Sequence, residues 1–167
     1  MQLLLRESHK PGNKAIWQGL ESHEVDFKKD TERWDDIVLQ AQGAMMFSGL
    51  TPSSQLLEDA IGLLCRMKTN AFHATTPDGL AMGLLLHPLV AMANHSCDPN
   101  AELRCEGREI SLVALADIEE GEQIVISYVD ENLRLEERSR MLEEGYFFRC
   151  VCKWCVLQGR TRDRDPP

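Results

Sequence analysis

The sequence predicts an α+β chain in which helices come first, short strands follow, and a cysteine-rich loop lies near the end. Three observations carry this prediction. Apolar residues recur at helical intervals between Thr31 and Met67. Short strand-like runs begin at Ala101. The segment Cys150-Val151-Cys152-Lys153-Trp154-Cys155 then crowds thiols into one loop. A chain of 167 residues, 27% charged and 43% hydrophobic, sustains one domain with a substantial core, or one domain and a small appendage.

The first helix is expected over Thr31 to Phe47, with Trp34, Ile37, Val38, Ala41, Met45 and Met46 on one stripe and a stop at Ser48-Gly49. Thr51 is the expected cap of a second helix, with Pro52 at its first position. There Leu56, Leu57, Ala60, Ile61, Leu64 and Met67 make one apolar face, and both stripes read as core. The pattern changes near Asn70. Thr75-Thr76-Pro77-Asp78-Gly79 is loop chemistry, and His87-Pro88 opens a short apolar stretch through Ala93.

Ala101 to Cys105 and Glu109 to Ala114 read as strands of a hairpin turning at Glu106-Gly107. Asp117 to Gly121 is a turn into a strand from Gln123 to Tyr128. Leu133 to Glu144 reads as an amphipathic helix ending at Gly145, its charges from Arg134 onward forming a solvated face. The tail after Cys155 is charged and ends Pro166-Pro167.

The 18 basic and 27 acidic residues give a net charge of −9, a poor match for a phosphate backbone, so direct nucleic-acid binding is not expected. No apolar run is long enough to span a bilayer, and Met1 to Leu5 is followed at once by Arg6, Glu7 and His9, which is not a signal-peptide pattern. No membrane partner is therefore expected, and the expected location is intracellular, in nucleus or cytoplasm. In that setting a Cys-x-Cys-x-x-Cys cluster favours metal over disulfides.

Structural zinc takes four ligands in a tetrahedron and accepts thiolates readily. Cys150, Cys152 and Cys155 can supply three from one loop. Cys97, in the sharp turn of Asn94-His95-Ser96-Cys97-Asp98-Pro99-Asn100, is the best remaining candidate, with His95 as the alternative. Such a site would staple the end of the chain to its middle and contribute folding free energy on the order of ten kcal/mol. Cys65 and Cys105 read as small buried hydrophobes. The polar Asn94-His95 pair suits gripping a ligand.

Three segments taken together resemble the SET-domain lysine methyltransferases. They are Asn94 to Asn100, Gly121-Glu122-Gln123-Ile124-Val125-Ile126-Ser127-Tyr128, and Tyr146-Phe147-Phe148-Arg149 before the cysteine cluster. The nearest branch is the SMYD-like one, in which a MYND zinc module is inserted into the SET domain, and Asn70-Ala71-Phe72 is similar to that branch's Asn-Ser-Phe segment. The resemblance is strong from Asn70 to Cys155 and weaker over the helical first half. It implies a helical SET-I-like region over residues 1–69 and a C-terminal SET core with a knot-like segment over 70–130. A post-SET helix and zinc loop would follow over 131–157, then a flexible tail over 158–167.

The resemblance also implies roles. Tyr128 would be the catalytic tyrosine at the methyl-transfer pore, and Tyr146 would line the lysine channel. Asn94 and His95 would lie in the threaded segment that binds S-adenosylmethionine, Asn70 at that cofactor's polar end, and Phe148 on its adenine. Cys97, Cys150, Cys152 and Cys155 would hold the post-SET zinc. The implied substrate is a lysine of a protein or peptide, and an acidic chain suits a basic histone tail. The family's glycine-rich cofactor turn and its MYND cysteine-histidine cluster are not found here, and Pro11-Gly12-Asn13 lacks the strand pattern that should follow such a turn. The resemblance therefore implies a chain that begins inside the family's domain and needs a complementing segment. The alternative is a degenerate SET module that is zinc-stapled and binds partners without transferring methyl groups.

Overall fold

The computed structural model describes residues 18–75, 80–88, 90–106 and 109–162. Pro11-Gly12-Asn13, most of the Thr75–Gly79 loop, Gly107 of the hairpin turn and the terminal prolines lie outside them. The chain divides into two compact units, Met1–Phe72 with Leu86–Pro88, and His73–Leu85 with Leu89–Pro167. The helical first part, the short-stranded core and the terminal cysteine cluster appear in the order expected.

In the first unit, helix α1 (Glu24–Phe27) precedes α2 (Thr31–Ser48) and α3 (Ser54–Asn70). Asp30 caps α2, its carboxylate accepting from the Arg33 N–H at 3.2 Å, and Gly49 ends it in the left-handed region at φ 69°. The cap of α3 is Ser53 rather than Thr51. Its hydroxyl accepts from the Leu56 N–H at 3.1 Å, so the first turn is satisfied from Ser53 and Pro52 precedes the helix. Ala41, Ala60 and Leu63 form the buried centre of this pair, with Leu57, Ile61, Leu64 and Met67 packed around them. Met46, expected on the buried stripe, is 82% exposed. Cys65 is fully buried, and burial pushes its thiol up to about 11, as suits a small hydrophobe.

Beyond α3, strands β1 (Phe72–Thr75) and β2 (Ala81–Leu85) form a two-stranded sheet on either side of the expected loop, a pairing that the residue pattern does not announce. A single 3-10 turn (Val90–Met92) leads into β3 (Asn94–His95). Strands β4 (Ala101–Glu106) and β5 (Glu109–Ala114) pair antiparallel, with Ala101 opposite Ala114 and Cys105 opposite Ile110. Gly121, at φ 86°, makes the turn before β6 (Val125–Ile126).

Only those two residues of the expected strand from Gln123 to Tyr128 join a ladder, because the partner β3 is itself two residues long. The pairing is parallel, Asn94 with Val125 and His95 with Ile126. The rest of the segment is fastened by Asn100, whose amide donates to the Gln123 carbonyl and accepts from the Val125 N–H, both at 2.9 Å.

Helix α4 (Leu135–Tyr146) runs through Gly145, and Phe147 ends it in the left-handed region at φ 61°. Helix α5 (Lys153–Arg162) starts inside the cysteine cluster and extends over residues expected to be tail. It begins there because the Cys152 carbonyl accepts from the Val156 N–H at 3.1 Å, closing its first turn around Cys155.

Candidate metal centre and adjoining aromatic site

The β3–β6 ladder sets the geometry of the second unit's site. It lays the Asn94–Asn100 segment beside the segment that carries Tyr128, and the Ser96 N–H extends the pairing by donating to the Ile126 carbonyl at 3.0 Å. A tight turn then fixes Cys97, with the Ser96 hydroxyl accepting from the Asp98 N–H at 3.1 Å. Leu142 on α4, Val129, Cys97 and Cys155 are buried together.

The sulfurs of Cys97, Cys150, Cys152 and Cys155 lie within 4.8 Å of one another. Cys97 is 3.5 Å from Cys155 and 4.0 Å from Cys150, too far for disulfides, whose sulfurs sit about 2.0 Å apart. A tetrahedron of Zn–S bonds about 2.3 Å long places sulfurs about 3.8 Å apart, so the spacing fits a structural zinc site. Cys105, on the antiparallel hairpin, is not in this group.

His95 is not a fourth ligand in place of Cys97. Its Nδ1 accepts from the Tyr128 N–H at 3.0 Å, which requires the ring proton on Nε2, and Nε2 lies 3.3 Å from the Cys97 sulfur. Burial, and then the charge of nearby Arg138, push the imidazole down to about 4, so the ring is neutral at ordinary pH. One imidazole thus links a cysteine of the tetrad to the backbone of Tyr128.

Around His95 the aromatic residues close into a cluster. Its ring centre lies 5.2 Å from Tyr128 and 5.8 Å from Phe148, and the Tyr128 and Tyr146 rings are 4.8 Å apart. The Tyr128 hydroxyl donates to the Ala93 carbonyl at 2.7 Å, which leaves its oxygen lone pairs as acceptors. Burial raises both tyrosine pKa values, with the neighbouring Tyr146 adding to the effect at Tyr128, so both remain neutral hydroxyls.

The second unit therefore brings together His95, Tyr128, Tyr146, Phe148 and the four cysteines. Asn94 sits on β3 with its side chain exposed. Asn70 ends α3 in the first unit, where its amide donates to the carbonyls of Glu21 at 2.7 Å and Arg66 at 2.8 Å.

Arg138 was not foreseen. Expected on a solvated face, it is 1% exposed, its Nε donating to the Cys97 sulfur at 3.3 Å and its guanidinium stacked 4.3 Å from the Trp154 ring. Leu135, Arg138 and Leu142 follow the i, i+3, i+7 spacing of a buried stripe, so an arginine on the apolar side of α4 was the available signal.

The family profile described as "SET domain" matches residues 8–129. Over 153 residues the chain is 32% identical to "SET domain and MYND-type zinc finger protein 6" of Schizosaccharomyces pombe, covering 92% of this chain and 31% of that protein. Human "Histone-lysine N-methyltransferase SMYD3" is 34% identical over 116 residues, covering 70% of this chain and 26% of its own. Human "N-lysine methyltransferase SMYD2" is 31% identical over 108 residues, 65% of this chain and 24% of its own. The chain spans between about a quarter and a third of the length of these relatives. With a profile match across most of its length, it belongs to the SET-domain family.

Proposed function

We propose that the chain carries the C-terminal half of a SMYD-like protein-lysine N-methyltransferase site using S-adenosylmethionine. The observation that supports this most is the aromatic cluster of Tyr128, Tyr146 and Phe148, anchored through His95 to the cysteine tetrad. When bound, S-adenosylmethionine supplies an electrophilic methyl group on a sulfonium. Half-buried aromatic rings suit both that cation and a lysine side chain.

Methyl transfer to an amine is an in-line displacement, so alignment supplies much of its acceleration. A free lysine has a pKa near about 10.4 and must be neutral to attack, which a partly dry aromatic channel favours. The Tyr128 oxygen, its proton committed to the Ala93 carbonyl, can accept from the amine and orient the nitrogen lone pair. Tyr146 narrows the same channel. Phe148 and the segment of Asn94 and His95 would receive the cofactor. The substrate is a protein lysine, with a basic histone tail as one class suited to a chain of net charge −9.

Calorimetric titration of the zinc-loaded chain with S-adenosylmethionine tests this reading. Saturable binding, weakened in Phe148→Ala, is expected. A folded, zinc-loaded chain that shows no binding heat overturns it in favour of an interaction module that has lost methyl transfer.

A further inference from the structure

Arg138 is a permanent cation with almost no access to water. Its partners are the Leu133 carbonyl, the Glu131 carbonyl at 3.5 Å, the Gln158 side-chain oxygen at 2.6 Å, the Trp154 ring, and sulfur. Among the described residues no carboxylate bonds to it. A buried charge without a counter-charge is costly, so the anion it answers must be the thiolate cluster.

The donors to the four sulfurs divide by position. Cys150 and Cys152 are half-buried and face the backbone N–H groups of Cys152 and Cys155, each at 3.5 Å. Cys97 and Cys155 are the buried pair, 3.5 Å apart, and the guanidinium reaches this pair through Cys97, to which its Nε donates at 3.3 Å. The outer two are open to water, while Cys97 is 1% and Cys155 7% exposed. A zinc ion with four thiolates carries a net charge of −2, and one fixed cation on the closed side halves it.

We propose that Arg138 is the built-in counter-ion of the zinc–thiolate centre, a positioning residue that fixes Cys97, and with it the buried side of the tetrad, toward the metal. Trp154 and Gln158 aim it, one through its ring face and the other through its side-chain oxygen. This inference rests on the tetrad holding zinc and is independent of methyl transfer.

The test is zinc affinity, measured on the full chain by competition with a chromophoric chelator, together with the sulfur-to-metal charge-transfer band after cobalt substitution. Arg138→Met is expected to weaken zinc binding about 10- to 100-fold and to shift the cobalt band. Arg138→Lys, which keeps the charge, should recover much of the affinity. Gln158→Ala, which leaves both charge and packing largely in place, should give a smaller loss in the same direction, and it serves if Arg138→Met does not fold. A purely packing role predicts lower melting temperatures with unchanged zinc affinity and cobalt band, and that result overturns the proposal. Lysine performing no better than methionine, or a wild-type chain that retains no zinc, overturns it too.

Discussion

Replacing His95 with alanine should loosen Tyr128 without emptying the metal centre. The substitution leaves the Tyr128 N–H without its acceptor at 3.0 Å and removes the donor lying 3.3 Å from the Cys97 sulfur. An unsatisfied donor in a partly buried position costs about 1–3 kcal/mol. The lost ring contacts with Tyr128 and Phe148 add about 0.5–1.5 kcal/mol each. A total near 3 kcal/mol is expected, and in a chain of this size each kcal/mol moves the midpoint by about 2–4 °C. Thermal unfolding of the zinc-loaded protein, followed by circular dichroism, should thus show a drop of about 6–12 °C, while zinc content stays at one per chain.

The two ring nitrogens can be tested separately. In His95→Asn the side-chain oxygen falls near the place of Nδ1, so the Tyr128 bond and about 1 kcal/mol should return while the sulfur contact stays lost. In His95→Gln the longer amide reaches toward Cys97 instead. An alanine variant that melts within a degree or two of wild type would refute the bridging role, and so would equal melting of Ala and Asn.

Cys152→Ser should abolish stoichiometric zinc binding and free α5, read as loss of metal by mass spectrometry and rapid proteolysis after Arg149. Alkaline titration offers a second check, because the chain has only two tyrosines and both sit in the site. Burial raises both pKa values, so the folded state holds its phenolic protons where the unfolded chain, near about 10, releases them. This contribution to stability is whole below the unfolded value and is lost as pH rises through the folded one. Tyrosinate absorbance at 295 nm should therefore lag the denatured chain above about pH 10, and coincident curves would contradict the buried cluster.

Much of this was legible in the residues. The thiol spacing at Cys150, Cys152 and Cys155 named a metal loop, and the geometry brings Cys97 to it as expected. Helical periodicity finds α2 and α3 because Ile37 and Ala41, and Ala60 and Leu63, are buried at helical spacing. What escaped depended on partners distant in sequence. Strand β6 is two residues long because β3 is, and no local pattern in Gln123 to Tyr128 encodes that limit. Asn100 reads as a turn residue, yet its amide bonds 23 and 25 residues away decide where Tyr128 lies. Arg138 was misread because charge alone suggests solvent. Its burial needs an anion that becomes visible only when Cys97 is folded against α4 and α5. Strands β1 and β2 flank a segment rich in turn residues, whose composition hid the pairing on either side.

Transfer of a labelled methyl group from S-adenosylmethionine to a lysine-rich protein substrate, compared between the zinc-loaded chain and its Tyr128→Phe variant, decides the proposed function. Label on a lysine side-chain nitrogen is expected with the wild type. A loss of about a hundredfold or more is expected in the variant, which keeps its zinc but lacks the oriented oxygen. Equal transfer by both proteins, or none by a wild-type chain that binds both zinc and cofactor, would contradict the proposed function.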